Sequence, residues 1–236
     1  MTWAERMNLF SPLDHAALAL LVGLWLWIGW RIERHGATRI SVSVLMEGFR
    51  REWMRVMLAR EPRILDSQML AILRQGTAFF ASASMIAIGG GLALIGNTER
   101  LAGVAADLTS QDVPAIVWEI KIIVVLLFVA NSFLKYVWAH RLFGYCAVLM
   151  AAVPNEAGAP GAGVRAEQTA ALSNTAARSF NKGMRSTYFA LAGVAWLLGP
   201  VALGAAALAT AAILWRREFA SQSRAILLKS PPETGR

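Results

Sequence analysis

The chain has 236 residues, 56% of them apolar and 16% charged, with 23 Lys and Arg against 15 Asp and Glu. A soluble domain averages roughly 45–50% apolar, glycine included, and about 25% charged. So large an apolar excess cannot be hidden inside one globule of this size, which excludes an ordinary soluble protein and a disordered chain alike.

The first predicted element is a membrane span over about 12–32. Ser11 is placed to cap it, Pro12 suits its first turn, and Asp14 stands where the acid of a capping box belongs. Trp25, Trp27 and Trp30 crowd its far end, followed by Arg31 and Arg34. The residues before it are not basic and no small-x-small cleavage site follows, so it reads as a retained helix rather than a signal peptide.

From Val42 the apolar positions Leu45, Met46, Phe49, Trp53, Val56 and Met57 recur at helical spacing. Glu47, Arg50, Arg51, Arg55 and Arg60 project elsewhere. This is the pattern of a basic amphipathic helix lying in a membrane interface, ended by Pro62. A short helix over about 66–74 then leads into a second span, about 77–96. That span is rich in small residues, which let helix backbones approach closely. Its Gly89-Gly90-Gly91 run serves either close packing or an unwound binding segment.

A third span is predicted over about 114–140. It carries Glu119, Lys121, Asn131 and Lys135, and ionisable groups at membrane depth are candidates for function by default. The lysines also suit anchoring at the two interfaces, and Glu119 suits a structural ion pair. A flexible stretch over 154–163 and a helix over about 166–182 follow. On that helix Asn174, Arg178, Asn181 and Arg185 form a polar stripe, and the two basic helices read either as solvated surface helices touching lipid or as a layer packed together beneath the bundle. The fourth span, about 187–215, lies in the longest uncharged run, with Gly199-Pro200 near its middle. The expectation is a long bent helix, the alternative a re-entrant hairpin.

The fold class is therefore all-α: one polytopic membrane domain over 1–236, with four spans, amphipathic helical loops over 33–76 and 141–186, and a tail over 216–236. With four full spans, loops one and three carry 14 Lys and Arg, against seven in the N-terminal tail, second loop and C-terminal tail. The positive-inside rule puts those loops in the cytoplasm and both termini outside, although five basic residues in the C-terminal tail argue against it. The expected location is the inner (plasma) membrane.

Cys146 is the single cysteine and reads as a packing residue; His15, His35 and His140 fit no ligand spacing. No nucleotide, zinc-protease or serine-hydrolase motif is present. No cofactor or metal is expected. The expected partners are anionic membrane lipids and a second copy or another membrane protein, not nucleic acid.

Three stretches carry a resemblance. They are 50–54 with 60–66 and 76–82; 118–121 with 133–138 and 141–145; and 178–185 with 188–192 and 217–219. Together they resemble a family of bacterial and plant membrane proteins known only as domain of unknown function 599. The resemblance covers about 13–228 and brings no activity, cofactor or substrate. It does single out polar residues that packing does not demand, namely Arg60, Arg63, Asp66, Lys135, Arg141, Asn181 and Arg185. With Arg50 and Arg51 these form either one ion-pair network at the mouth of the bundle or an anion site for a lipid head group. Two functions follow as expectations. One is a channel, transporter or membrane scaffold, centred on Glu119, Lys121, Asn131 and Lys135. The other is an interfacial lipid-binding or lipid-modifying protein, centred on the arginines.

Overall fold

The computed structural model describes residues 9–36, 38–97, 114–156 and 158–229; Arg6, Arg100 and Arg236, which enter the charge count above, lie outside them. The described residues form helices and no strands. In chain order the helices are α1 (Pro12–Glu33), α2 (Val42–Met57), α3 (Ile64–Ile95), α4 (Ala115–Ala151), α5 (Ala162–Val194), a 3-10 turn (Ala195–Leu198), α6 (Pro200–Phe219) and α7 (Gln222–Leu227). Three of them, α1, α3 and α4, are long and apolar enough to cross a membrane.

The start of α1 follows its sequence. Ser11 accepts from the Asp14 N–H while Asp14 reaches back to the Ser11 N–H, a complete capping box with Pro12 in the first turn. The expected boundaries at 77 and 140 give way to longer helices. α3 runs unbroken through Arg74 and Gln75, and α4 runs through Arg141 to Ala151. Charge ends residence in lipid but not helicity, and no proline or turn sequence lies between. At about 1.5 Å per residue α4 is about 55 Å long, against an apolar core of about 30 Å. The short helix expected over 66–74 and the one over 166–182 are therefore the first halves of α3 and α5. The Gly89-Gly90-Gly91 run stays helical, and only Gly91 packs closely, against Leu126.

The fourth span is the clearest correction. The segment 187–215 is not one bent helix but two arms joined at Gly199-Pro200. Gly199 has φ of 119°, a conformation that only glycine adopts without strain, and Pro200 opens α6 at its first turn. Side chains fix the directions of the arms. Trp196 donates to Asp14 at the start of α1, and Arg185 binds Glu33 at its end, so α5 runs against α1. Trp27 stacks on Trp215 at 5.5 Å, and Arg31 lies over the Phe219 ring, so α6 runs with α1. The tail therefore returns to the end that holds the first loop, where Arg224 donates to the Ile40 carbonyl. Eighteen of the twenty described Lys and Arg fall in 31–74, 141–185 and 216–229, all toward that end; Lys121 and Lys135 lie in α4.

Two apolar cores stack along the molecule. One joins α1, the first half of α4, the end of α5 and α6 around Leu21, Ile28, Phe128, Phe189 and Leu203. The other joins the end of α2, the start of α3, the second half of α4 and the first half of α5 around Met54, Met57, Leu70, Phe143 and Cys146. The α4–α5 pair runs through both. The α5 side of this seam is made of small residues, including Ala166, Ala170, Ser173, Ala177, Gly183, Ser186 and Ala190, all buried. They let α5 lie close against the large side chains of α4.

Gly183 is the tightest point of the seam, since a Cβ there would stand 2.6 Å from the Tyr136 ring. Gly183→Ala should destabilise the purified protein by about 1–3 kcal/mol, read as a lowered Tm, because the buried Tyr136 has little room to yield. Gly89→Ala meets nothing within 4 Å and should leave Tm unchanged or slightly higher.

Candidate functional site

Where the two cores meet, α1, α2, α5 and α6 converge on a layer of charge. Glu33, in the last turn of α1, accepts from Arg185 through one oxygen and lies 3.0 Å from Lys182 Nζ through the other. Glu47, on α2, accepts from Arg178 Nη2 at 2.9 Å and stands 3.1 Å from His35 Nε2. Asn174 donates to the Glu47 carbonyl at 3.2 Å. Glu218 of α6 accepts from both the N–H and the hydroxyl of Ser43 at 3.0 Å, and Asn181 donates to that same hydroxyl. The polar stripe of α5 thus faces α2, as its spacing implies, and each of its cations meets a carboxylate from another helix.

The electrostatics follow from burial. Loss of water on its own would raise the Glu47 carboxyl, but hydrogen bonds and charge from Arg178 and His35 outweigh it, and the pKa falls below the ordinary glutamate value. Burial lowers the Arg50 guanidinium, and Glu47 offsets this only in part. The space left among these side chains is about 10 Å³, room for one water at most. The layer is therefore a clamp between helices and not a cleft for an organic ligand.

The remaining arginine-side candidates lie elsewhere. Asp66 is fully buried and accepts from Trp53 Nε1 at 2.7 Å and from Arg60, which ties α2 to the start of α3. Arg63 donates to the Val153 and Pro154 carbonyls at 2.8 and 2.7 Å. Among the described residues Arg141 bonds along its own helix, to Tyr145, and Arg51 is exposed. The single network expected of these residues is thus three separate groups. Arg50, Asn181 and Arg185 belong to the clamp, Arg60 and Asp66 to the α2–α3 tie, and Arg63 to the α3–α4 junction.

The membrane-depth candidates are also dispersed. Lys121 is buried beneath the rings of Trp118 and Trp196, at 4.8 and 5.8 Å from their centroids. Trp196 in turn holds Asp14, so Lys121 belongs to a tie between α1, α4 and the 3-10 turn. Asn131 donates to Ser186 across the α4–α5 seam at 3.0 Å. Lys135 is half-buried about one helical turn further on, and Glu119 is half-buried near the opposite end of α4. Among the described residues no three His, Cys, Asp or Glu side chains gather as a metal site.

The acids of the clamp, Glu33, Glu47 and Glu218, were not foreseen. Each stands at a helix end or on a basic face, and no spacing links one to another. The pH response tests the clamp. The lowered Glu47 pKa stabilises the fold fully above the unfolded value near 4.5, and that contribution is lost as pH falls through the lower folded value. A plot of Tm against pH should therefore lose part of its acid limb in Glu47→Gln; an identical limb in both proteins contradicts the pairing. At Glu33, Arg185→Met should cost about 3 kcal/mol or less, since Lys182 still reaches the carboxylate, and Glu33→Gln in the same chain should recover part of the loss.

Comparison with curated proteins and with solved structures finds no match. A family model described as "Protein of unknown function, DUF599" matches residues 16–223, nearly the whole described chain. The chain belongs to that family.

Proposed function

We propose that this protein is a non-catalytic, multi-pass membrane protein that holds a lipid acyl chain between α3, α4 and α5. One observation carries the reading: a groove of about 560 Å³ along these three helices, lined by Phe80, Ala87, Gly90, Leu126, Ala190 and Val194 among others. Its volume lies in the range of ordinary ligand sites. The lining hydroxyls are already engaged, Ser84 with the Phe80 carbonyl and Thr187 with the Gly183 carbonyl, so the walls offer nothing to an ion or a polar solute. Phe79, Leu94 and Leu191 stand exposed around it. Two of its walls, α3 and α4, are long and apolar enough to cross a membrane, and the medium that fills a groove at that depth is acyl chain. The dispersal of Glu119, Lys121, Asn131 and Lys135 supports the same choice over a conduit, which needs polar groups along one path.

The reading includes an orientation. The end that collects the arginines faces the cytoplasm, as the positive-inside rule asks, and the C-terminal tail shares that side because the Gly199-Pro200 hairpin returns it to the same end of the molecule. In this arrangement α5 and α6 cross the membrane beside α1, α3 and α4. The second core and α2 project beyond the bilayer, with the exposed Phe49 and Val56 of α2 turned toward its surface.

Two measurements test the proposal. A C-terminal reporter that works only in the cytoplasm should be active, and an active periplasmic reporter at the same position contradicts the orientation. A phospholipid carrying a diazirine at mid-chain should label peptides of α3 and α5. Ala87→Leu with Gly90→Leu should cut that labelling several-fold without lowering Tm. Unchanged labelling in the double variant, or no labelling of α3 and α5 in the parent, contradicts the acyl-chain reading.

A further inference from the structure

A second cavity lies at the other end of the α3–α4 pair and shares no residue with the groove. It measures about 320 Å³ and is bounded by Arg63 at the N-cap of α3, Ser67 and Arg74 within α3, Met150 of α4 and Asn155 of the loop beyond. No acidic side chain lines it. Arg63, Ser67 and Arg74 stand at i, i+4 and i+11 on one face of α3, so both guanidinium groups come to the same side.

The two arginines are held differently. Arg63 spends one N–H of each terminal nitrogen on the Val153 and Pro154 carbonyls, which fixes its plane at the edge of the cavity and leaves three N–H groups over. Arg74 makes no ion pair among the described residues, and its Nε–H is buried without an acceptor. A buried, unsatisfied guanidinium donor is costly unless something accepts from it. That Nε–H has no surface open to the cavity, so the donors left for a ligand there are the terminal N–H groups of Arg74, which make no hydrogen bond among the described residues. The opposite face of this stretch exposes Ile64, Leu65, Met69 and Ile72, all more than two-fifths accessible. Arg74, whose carbonyl lies 3.3 Å from His140 Nδ1, stands level with the end of the apolar stretch of α4, so the cavity runs from that boundary toward the polar side.

We propose that this cavity binds a phosphate group, with Arg74 as its principal donor and Arg63 as a fixed second. Phosphate offers the oxygens that planar guanidinium groups match in pairs, and the cavity's charge is unopposed. The floor of Leu70, Ala71 and Met150 suits the glycerol and first methylenes of a phospholipid, while the open side admits a free phosphate equally. The inference does not rest on the acyl-chain groove, and its test uses neither Ala87 nor Gly90.

The test takes the full chain, stripped of lipid in a phosphate-free detergent, and offers two probes separately. One is inorganic phosphate, read by the rise in Tm. The other is phosphatidylglycerol, read by the number of lipids retained in native mass spectrometry. Arg74→Gln should weaken binding of whichever probe is the natural source by about tenfold or more, the scale of a lost charge-assisted contact. Ala71→Leu, which fills the floor without changing charge, should weaken the lipid more than phosphate. Arg55→Gln, an exposed change of equal charge, should leave both alone. Binding of phosphatidylglycerol alone identifies a head-group site, and binding of phosphate alone a soluble-anion site. The proposal is overturned if Arg74→Gln stays folded and binds both probes as the parent does, if Arg55→Gln weakens them equally, or if the parent binds neither.

Discussion

The architecture depends on how closely α5 can lie against α4. The two helices run antiparallel along nearly their whole lengths, and the approach is set by small residues on α5. At the midpoint Gly183 sits beneath the Tyr136 ring, and a single added methyl group would collide there. Around it Ser179 donates to the Lys135 carbonyl and Ser186 to the Phe128 carbonyl, so the small side chains also answer backbone oxygens of α4. The pair then acts as one beam. At one end it supports α1 and α6 through Phe128, Phe189 and Leu203, and at the other it supports α2 and the start of α3 through Phe143, Cys146 and Met150. A helix that ended at residue 140 would leave α5 alone to connect these two cores.

The charged clamp sits where the beam leaves one core for the next, and its position explains its composition. Four helices converge there, and the polar ends of α1 and α2 can be buried only if their acids are met. Arg185 and Lys182 meet Glu33, and Arg178 and His35 meet Glu47. In this frame the clamp fixes the angle of α2 against the bundle. The groove and the cavity lie one on each side of the clamp.

What the sequence disclosed divides along physical lines. The cap at Ser11, the tryptophans near the end of α1 and the polar face of α5 are local patterns, and each was legible because the residues that make it are close in the chain. Family membership was legible in the same way, from short polar motifs. Helix lengths are not legible in this way, because charge marks where lipid ends and not where a helix does. Arg74, Arg141 and Arg185 mark the edge of an apolar environment, while the backbone continues helical through all three. The fold-back at Gly199-Pro200 was visible as a break, but a kinked helix and a reversed one share that sequence. The φ of Gly199 and the contacts of Trp196 and Trp215 decide between them. The clamp and the phosphate cavity were the least legible. Glu33, Glu47 and Glu218 come from three helices, and Arg74 earns notice only once Met150 and Asn155 are folded across from it.

The central claim is that α4 is one continuous helix, embedded in lipid along its first part and projecting beyond the bilayer along its second. A spin-label scan along α4 in lipid nanodiscs, with oxygen and a water-soluble nickel chelate as paired probes, tests it most directly. The account predicts helical periodicity of about 3.6 residues from 115 to 151, with the outward positions changing from oxygen-accessible to nickel-accessible near His140. A loss of periodicity at that point, or oxygen accessibility that persists to Ala151, would contradict it.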